Sequence, residues 1–424
     1  MTTMDGERRA FGSGSSVPVE RCQSCGGRGL EPVLFLGYLP PVNQMRPIGE
    51  VPREQLRYPA QLLRCPGCEL FQLGLVVDPK ILFPPEYPYT SGTTKILRDN
   101  FAELYRDCGR LITLGAGDLV VDIGSNDGTL LGNFAGKHKV LGIEPTDAGK
   151  LAVGRGIPTK TAFFSRKVAE EVRREAGTAK LVSATNVFAH IEDVHDVVEG
   201  ILCLLEPSGV FVSESHYLLS LIETLQYDTI YHEHLRYYSL RSLNNLLERH
   251  GLEVVDAKRI TTHGGSIRVY AARRGTLEPH ASVESLLRQE QRGLSADRIA
   301  EFRERVVLSK LRLHELLHDV KRQGSRVCGI SAPSRASTLI HYCGLDDSGL
   351  LDYVVEVAGS HKIGKYMPGA LIPVVEESLL FKDQPEYALL LSWHIADELI
   401  PKLASKGFRG SFIVPLPEPR IVCP

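Results

Sequence analysis

The chain has 424 residues, of which 24% are charged and 43% hydrophobic, and its formal net charge is −2. This length predicts several domains, and the balanced charge gives no basic surface for nucleic acid or an anionic membrane. No apolar run approaches the roughly 18 residues of a membrane-spanning helix, and the polar start lacks the apolar core of a signal peptide. We therefore expect a cytoplasmic protein with a disordered tail over residues 1–18.

Residues 19–85 are rich in proline and glycine and contain two cysteine pairs, Cys22 with Cys25 and Cys65 with Cys68. Each pair lies on a tight turn that can direct two thiolates at one ion, and two such turns complete a tetrahedral four-sulfur zinc site. Reduced thiols or redox disulfides are the alternative. Because so short a segment has little apolar core of its own, the zinc is predicted to be structural.

Residues 86–275 alternate strand-like and helix-like segments, which predicts a doubly wound parallel sheet. An apolar strand ending at Asp122 leads into a turn with Gly124 and Gly128, and then into the start of a helix. The next predicted strand ends at Glu144, and two more follow in KLVSATNVFAHI and GVFVSESHYL. A ligand of such a sheet binds at the carboxyl ends of the strands.

The glycine turn departs from the dinucleotide pattern G-x-G-x-x-G because Asn126 occupies the position of the second glycine. Asn126 and Asp127 would crowd a pyrophosphate and bring an acid towards it. S-adenosylmethionine carries no phosphate, and an acidic loop can meet the ammonium group of its amino-acid end. A carboxylate at Glu144 can accept hydrogen bonds from both ribose hydroxyls. The predicted cofactor is therefore S-adenosylmethionine, and a strand–turn–helix without a ligand is the alternative.

Residues 285–424 begin with a long, amphipathic and highly charged stretch whose period and charge pairing predict a helix. Three strand candidates follow, with helical patterns between them, in SRVCGISAPSRASTLIHYC, LDYVVEVAG and EYALLLSW. The sequence thus predicts a second, smaller α/β domain after the central one.

The segment YDTIYHEHLRYYSL, residues 227–240, places Tyr231, His232, Glu233 and His234 in a row. A metal site is one interpretation, but residues two apart on a helix point to different faces, and in a strand no further ligands are evident. A solvated surface is a second interpretation, which the density of tyrosines disfavours. The third is catalysis, with one histidine as general base, the glutamate fixing its tautomer, and Tyr231 donating to an oxyanion. These residue types suit proton abstraction beside a carbonyl, followed by attack of the enolate carbon on a methyl group.

The chain resembles the deoxysugar C-methyltransferases that act on nucleotide-linked 4-keto sugars in antibiotic and polysaccharide pathways. The resemblance covers nearly the whole chain and rests, in order, on the two cysteine pairs, YPYTSG, VVDIGSNDGTLL, GIEPT, NVFAHI, YDTIYHEHLRYYSL, HGGSIRVY, ISAPSRASTLIHYCG and KYMPGALIPV. It implies a small N-terminal zinc-binding domain, a central Rossmann-like methyltransferase domain and a C-terminal α/β domain. The implied partner is a dTDP-linked 4-keto deoxysugar in the cleft between the domains, with the C-terminal domain helping to bind the nucleotide sugar.

The resemblance implies that His234 removes the proton at C3, beside the C4 ketone, and that Glu233 is the partner of its imidazole. Tyr231, His190 of NVFAHI and a tyrosine of YPYTSG would line the site, polarise the ketone or close over the sugar. Tyr89 is preferred over Tyr87 as that tyrosine.

NVFAHI follows a sheet strand, so Asn186 is expected to reach the cofactor while His190 faces the substrate. A helix-capping or packed histidine is the alternative for His190. The predicted substrate contacts are Tyr87, Arg335 and Lys362.

Two stretches depart from the pattern of the resembled family. Arg335 stands where the family often has a lysine, so a charged contact to the nucleotide would persist with a different geometry. Val357, Ser360 and Ile363 depart from a run that precedes KYMPG in the family. The predicted function is C-methylation of the sugar at C3. A nicotinamide-dependent sugar reductase or epimerase and a non-enzymatic zinc-ribbon protein are the alternatives.

Overall fold

A computed structural model of the chain describes residues 15–51, 53–83, 91–346 and 349–423. Tyr87 and Tyr89, the two tyrosines predicted to face the substrate, lie outside the described residues. The expected tail over residues 1–18 is wrong for Ser16–Pro18, because this segment forms a strand that pairs with Leu75–Val77. The regular ladder of main-chain hydrogen bonds to that partner orders it.

The N-terminal region is a small antiparallel sheet next to the cysteine turns. Its elements are β1 (Ser16–Pro18), β2 (Glu31–Leu39), β3 (Arg46–Pro47), β4 (Tyr58–Arg64), β5 (Phe71–Leu73), β6 (Leu75–Val77) and α1 (Pro79–Leu82). In this sheet β4 lies between β2 and β5. Apolar residues alternate along β4, so that one face of the sheet is buried.

The central region is a seven-stranded mixed sheet flanked by helices. Its elements are α2 (Lys95–Leu111), β7 (Leu119–Ile123), β8 (Lys139–Ile143), α3 (Ala148–Gly154), β9 (Thr159–Lys160), α4 (Arg166–Ala176), β10 (Ala179–Thr185), α5 (Val194–Leu204), β11 (Leu205–His216), α6 (Leu218–Glu223), β12 (Arg236–Tyr237), α7 (Leu240–Glu248), β13 (Leu252–Ile260) and β14 (Ser266–Arg273). All of these strands except β12 belong to the sheet.

The order of the central sheet is β13-β14-β11-β10-β7-β8-β9. The five strands from β9 to β11 are parallel, and β14 runs antiparallel to both of its neighbours. The strand order reverses between β7 and β10, which is where a doubly wound sheet opens a crevice for its ligand. The predicted doubly wound, Rossmann-like domain is confirmed.

One local prediction is wrong because of glycines, and a second is refined. The helix expected after Gly128 is only a 3-10 turn, Leu131–Asn133, because Gly132 lies inside it and Gly136 takes a φ of 81° that turns the chain. The helical stretch expected from residue 285 is confirmed, and it is divided into two helices, α8 (Ala281–Gly293) and α9 (Ala296–Arg322). Ser295 separates them because its side chain caps the amino end of α9.

The C-terminal region is a second α/β sheet. Its further elements are β15 (Val327–Ile330), α10 (Ser334–Tyr342), β16 (Val354–Glu356), β17 (Lys365–Tyr366), β18 (Val374–Glu376), α11 (Ser378–Asp383), β19 (Tyr387–Leu390), α12 (Ala396–Ser405), β20 (Ser411–Val414) and β21 (Arg420–Val422). The sheet order is β18-β16-β15-β19-β20-β21, with only β21 antiparallel in it. The predicted C-terminal α/β domain is confirmed, and its own switch point lies between β15 and β19.

The three regions are joined by shared strands and a shared core. β12, which follows the acid/base residues, pairs with β5 of the N-terminal sheet, and β17 pairs with β3. One apolar cluster runs from β2, β4 and β5 through α6 and α9 to the strands of the C-terminal sheet. Among the described residues, none of the helices combines the length and apolar character needed to cross a membrane.

Candidate active site and zinc site

The four predicted zinc ligands meet at one point beside the N-terminal sheet. Their sulfur atoms all lie within 4.8 Å of one another. Sγ of Cys22 is 3.4 Å from that of Cys68, and Sγ of Cys25 is 3.5 Å from that of Cys65, so each contact joins one turn to the other. Four thiolates bound at about 2.3 Å to a tetrahedral zinc ion stand about 3.8 Å apart. The cluster therefore has the size of a four-sulfur zinc site.

Main-chain N–H groups point at these sulfurs. The amide of Ser24 donates to Sγ of Cys22 and the amide of Gly27 to Sγ of Cys25, both at 3.4 Å. A Cβ at Gly27 would stand 3.1 Å from Sγ of Cys25, which explains the glycine there. Because the protein provides all four ligands, no position is left for a substrate or a reactive water, and the zinc is structural.

The predicted cofactor loop is folded against the end of β8. Glu144 directly follows β8, and its carboxylate accepts hydrogen bonds from the amides of Asn126, at 3.0 Å, and Thr146, at 2.9 Å. Asn126 adopts a left-handed φ of 50°, which asparagine tolerates better than most residues. Its side-chain oxygen accepts from the amide of Ser91 at 2.8 Å. Loop, strand end and the turn at residues 91–93 thus form one edge of the crevice.

The pKa values of the two acids of the loop are shifted in opposite directions. Burial raises the pKa of Asp122 to about 7, although Ser183 donates to its carboxylate at 2.7 Å. Burial opposes ionisation of Asp127 too, but hydrogen bonds from Thr129, the amide of Gly92 and Arg155 lower its pKa. Asp122 thus bonds to the neighbouring strand β10, whereas Asp127 is a carboxylate bonded to its own loop, to Gly92 and to Arg155.

The glycines of the loop are required by its packing. Gly124 has a φ of 67°, and a Cβ there would come within 2.2 Å of the Val187 side chain. Gly128 has a φ of 75°, and a Cβ there would press on Ala152 and Ile157 at 3.0 and 3.1 Å. The loop can therefore lie close to the end of β10 only with glycine at position 124, and close to α3 only with glycine at position 128.

Asn186 gives a direct test of whether the crevice fits S-adenosylmethionine. It directly follows β10, has a φ of 55°, and its amide donates to the carbonyl of Glu214 at 2.8 Å. Its side-chain oxygen is buried and has no hydrogen-bond partner among the described residues. A buried polar atom left unpaired at a ligand-binding edge fits the ammonium group of an amino acid. The carboxylate of Glu144 at the same edge fits the ribose hydroxyls.

His234 is the buried centre of the acid/base segment. Its Nδ1 lies 2.7 Å from the carbonyl oxygen of Thr229. Because a carbonyl can only accept, Nδ1 carries the proton and Nε2 keeps a lone pair. Burial, reinforced by the neighbouring His190, holds the pKa of His234 well below its usual range. The imidazole is therefore neutral at neutral pH, and its Nε2 is unprotonated.

Tyr231 packs directly on this imidazole, with 4.2 Å between the ring centroids. Burial raises the pKa of the Tyr231 hydroxyl well above its usual range, so the hydroxyl stays protonated and can donate. The structure brings the predicted base and the predicted oxyanion donor together. Their catalytic roles stay predictions.

Glu233 is placed differently from its predicted role as the imidazole partner. The carbonyl of Thr229 occupies Nδ1 of His234, and Oε1 of Glu233 accepts from Nδ2 of Asn43 at 2.7 Å. In this turn the side chains of two adjacent residues point to different neighbours. Asn43 follows β2, so the N-terminal domain supplies a residue that the sequence did not single out.

His190 lies beside His234, with 4.9 Å between the ring centroids. Its Nδ1 bonds to the carbonyl of Glu233, so its proton is also on Nδ1. Burial lowers the pKa of His190 and keeps the ring neutral. Its Nε2 then accepts hydrogen bonds and cannot donate one to a ketone. The structure therefore supports His190 as a lining residue rather than as a group that polarises the ketone.

Three further histidines, which were not predicted as site residues, lie with His190 and His234 where the central and C-terminal domains meet. We call the site formed by these five histidines the cleft. The His216 ring lies 4.6 Å from that of His234 and 5.7 Å from that of His263, between ring centroids. His394 follows β19, and its charge interactions with Arg335 and His263 place it in the same cluster. Their motifs, ESH, HGGS and SWH, carry no spacing that links them. Only the fold brings them together.

The predicted substrate contacts of the C-terminal domain lie at the amino end of α10. Arg335 is buried there, in a two-oxygen ion pair with Asp228. Nζ of Lys362 donates to the carbonyl of Ala332 at 2.6 Å, and burial lowers the pKa of this lysine. Both side chains reach the segment that follows β15, at the second switch point. Their contact with a nucleotide stays a prediction.

His232, for which we predicted no role, is directed away from the cleft. Its Nε2 lies 3.2 Å from the carbonyl oxygen of Pro59, and its ring packs edge-on against Tyr58 at 5.6 Å between centroids. Both neighbours belong to β4. The residue therefore fastens the acid/base segment to the N-terminal sheet.

Three family matches follow the same order as the three regions. Residues 22–83 match a zinc binding domain, residues 96–257 a methyltransferase domain, and residues 261–417 a C-methyltransferase C-terminal domain. The chain is 35% identical over 421 residues to C-methyltransferase NovU of Streptomyces niveus, which covers 96% of this chain and 97% of that protein.

Solved structures show a weaker likeness. A SAM-dependent methyltransferase from Anabaena variabilis is 14% identical and covers 43% of this chain and 86% of its own, with a TM-score of 0.34. Magnesium protoporphyrin IX methyltransferase from Synechocystis is 15% identical and covers 42% of this chain and 77% of its own, with a TM-score of 0.31. Likeness at this level carries no argument about the site.

The Rossmann-like sheet, its cofactor edge and the family matches define an S-adenosylmethionine-dependent methyltransferase with a structural zinc site. More specifically, the chain belongs to the C-methyltransferase family that includes NovU. The predicted enzyme class and both predicted cofactors are confirmed. The nicotinamide-dependent and non-enzymatic alternatives are thereby set aside.

Proposed function

We propose that the protein methylates C3 of a dTDP-linked 4-keto deoxysugar in the cytoplasm, with His234 as the general base. The observation that carries this proposal is the hydrogen bond from Nδ1 of His234 to the carbonyl of Thr229, 2.7 Å long, inside a cleft lined by neutral histidines. It leaves Nε2 as a buried, unprotonated base. Methylation of carbon needs such a base, because a C–H bond must first lose its proton.

The first step is proton removal. Nε2 of His234 takes the proton from C3, the electron pair of that C–H bond forms a C3–C4 double bond, and the carbonyl electrons move to the oxygen. The neighbouring ketone makes the C3–H bond more acidic. The protonated hydroxyl of Tyr231 stabilises the resulting oxyanion. Burial of both residues strengthens this interaction because water does not screen it.

The second step is transfer to carbon. S-adenosylmethionine supplies a methyl group on a sulfonium, which is a strong electrophile without help from a metal. The protein contributes Asn186, Glu144 and the loop at Asn126 to hold this cofactor at the carboxyl edge of the central sheet. Nε2 of His234 carries the abstracted proton until it returns to solvent. Other predicted contacts of the cofactor, which support or shape this loop, are Asp122, Gly124, Asp127 and Gly128.

The remaining contacts follow from the placement of the side chains. Nε2 of His190 can accept a hydrogen bond from a sugar hydroxyl. Lys362, at the amino end of α10, supports a role for the C-terminal domain, residues 285–424, in binding the anionic nucleotide. Tyr89 is our first candidate, and Tyr87 our second, for the tyrosine that closes over the sugar. Glu233 orients the acid/base segment through its hydrogen bond with Asn43.

The test is a screen of dTDP-linked 4-keto sugars with S-adenosylmethionine whose methyl group is ¹³C-labelled. We expect S-adenosylhomocysteine to form and the labelled methyl group to appear on C3 in NMR spectra of the product. The His234→Asn variant should bind the cofactor and lose turnover. His250→Asn, which changes a half-buried histidine paired with His195 outside the cleft, is the matched control. A methyl group on oxygen, nitrogen or another carbon, or full turnover by His234→Asn, would refute the proposal.

A further inference from the structure

Arg335 of the C-terminal domain binds a turn at the start of the acid/base segment through its buried guanidinium. Its Nε donates to Oδ2 of Asp228 at 2.8 Å, and its Nη2 donates to Oδ1 of Asp228 at 2.7 Å. The same Nη2 donates to Oε1 of Gln226 at 3.0 Å. One planar group thus binds both ends of the three-residue span from Gln226 to Asp228.

Trp393 completes this contact from a second element of the C-terminal domain. Its Nε1 donates to Oδ2 of Asp228 at 2.7 Å, and the Arg335 guanidinium lies over its ring, 5.0 Å from the ring centroid. The side chain of Asp228 is 0% exposed and that of Arg335 6%. Breaking a buried, fully bonded ion pair leaves a charge without a partner, which is strongly unfavourable. The turn is therefore fixed to α10 and to the end of β19.

This turn ends in the residue that bonds to the base. The carbonyl of Thr229, next to Asp228, accepts from Nδ1 of His234 at 2.7 Å. The amide and hydroxyl of Thr229 both donate to the carbonyl of Gln226, at 3.0 and 2.8 Å. The direction of the Thr229 carbonyl is thus set by a turn in which Arg335 binds the side chains of Gln226 and Asp228.

We propose that Arg335, Asp228 and Trp393 are positioning residues that keep His234 in its Nδ1–H tautomer, with Nε2 directed at the substrate. The inference rests on the proposed role of His234 as the base and deepens it. It gives the C-terminal domain a part in catalysis besides binding of the nucleotide sugar. It also gives Arg335 a task that its engaged guanidinium can perform, in place of a direct contact to the nucleotide.

The contact depends on arginine as such. Its planar fork bonds two carboxylate oxygens and an amide oxygen at once, whereas an ammonium group is a point charge on a flexible stem. Arg335→Lys keeps the positive charge and the partner but loses this geometry. A role that needed only a charge near the nucleotide would survive this substitution.

The experiment compares the full-length wild type with Arg335→Lys, Asp228→Asn and Trp393→Phe, all labelled with ¹⁵N-histidine. NMR spectra report which nitrogen of each imidazole carries the proton, and His234→Asn identifies the His234 signals. We expect the Nδ1–H form of His234 in the wild type and a mixture of tautomers in the variants. With the sugar found in the screen, kcat should fall between about 10-fold and 100-fold while cofactor binding is unchanged.

Arg326→Lys is the matched control, because Arg326 makes a two-oxygen ion pair with Asp383 in the same domain but directly precedes β15, at the end of the strand away from the cleft. It should leave both readouts unchanged. An unaltered His234 tautomer together with unaltered kcat in Arg335→Lys and Trp393→Phe would overturn the inference. Should Asp228→Asn fail to fold, Trp393→Phe removes one donor and still decides the question.

The two proposals fail in different ways. If His234→Asn turns over normally while the tautomer still shifts in Arg335→Lys, the base assignment is wrong and the positioning contact stands. If His234→Asn is inactive but Arg335→Lys keeps both tautomer and kcat, only the positioning role is wrong.

Discussion

The zinc site and the histidine cleft concentrate similar chemistry but are built in different ways. The zinc site takes its four ligands from two turns of one small domain, and its sulfurs face each other across that domain. The cleft takes Asn43 from the N-terminal domain, His234 from the central one and Arg335 from the C-terminal one. The first is a local structure, and the second exists only when three domains are assembled.

The two sites nevertheless depend on each other. β12 follows His234 in the chain and pairs with β5, which follows the cysteine turn at Cys68. Leu235 lies between His234 and β12 in the chain, and its carbonyl accepts a hydrogen bond from the amide of Leu73 in β5. The zinc therefore stabilises the sheet to which the acid/base segment is attached, although it takes no part in the chemistry.

The largest effect is expected from Cys65→Ser. Loss of one thiolate removes much of the binding free energy of the zinc, which is folding free energy for so small a domain. We expect zinc content to fall from about one ion per chain to near zero and the N-terminal sheet to unfold. Activity should then be lost, because β12, which follows His234, pairs with this sheet. Metal analysis and a thermal melt check this. Cys203→Ser, a half-buried thiol outside the cluster, is the control. A folded, active and zinc-free variant would contradict the link.

A smaller effect is expected from Tyr231→Phe. The ring would still pack on His234 at the present 4.2 Å between centroids, but the donor for the oxyanion would be gone. Removal of such a donor lowers kcat by about 100-fold to 1000-fold when it acts alone. We expect the lower end, with unchanged cofactor affinity in a binding titration. A kcat equal to that of the wild type would show that another group stabilises the enolate.

The smallest effect is expected from His232→Gln, and it concerns stability. Burial lowers the pKa of His232 from 6.5 to about 4. The folded state favours its neutral form, so its contribution is present above pH 6.5 and is lost as the pH falls towards 4. Glutamine can still donate to the carbonyl of Pro59 but does not titrate.

Between pH 6.5 and 4 the free energy of unfolding should therefore fall less in His232→Gln than in the wild type, by at most about 3 kcal/mol. Denaturant titrations at several pH values measure this difference. Because His232 faces β4 rather than the cleft, kcat at neutral pH should not change. Parallel pH dependences in the two proteins would show that folding does not change the pKa of His232.

Sequence patterns predicted what depends on neighbours along the chain. The cysteine spacing located the zinc site, and alternating apolar segments located β7, β8, β10 and β11 with Glu144 and Asn186 at their ends. Both signals are local, since a turn or a strand is fixed by its own residues.

The patterns failed where tertiary structure decides. Asn43, His216, His263 and His394 lie in separate segments, and nothing in their spacing relates them to one another. The bond from His234 goes to a main-chain carbonyl, at Thr229, which has no signature in the side-chain sequence. Glu233 is adjacent to His234 in sequence, but the turn directs its Oε1 to Nδ2 of Asn43, a contact that no local pattern indicates.

The central claim, that His234 is the base for a carbon acid, is tested most directly by hydrogen exchange. A 4-keto sugar nucleotide that the enzyme methylates is incubated in D2O with enzyme and S-adenosylhomocysteine, and its C3 proton signal is followed by NMR. We predict that the wild type exchanges this proton without methyl transfer and that His234→Asn does not, while still binding S-adenosylhomocysteine. Exchange by His234→Asn at the wild-type rate would contradict the account.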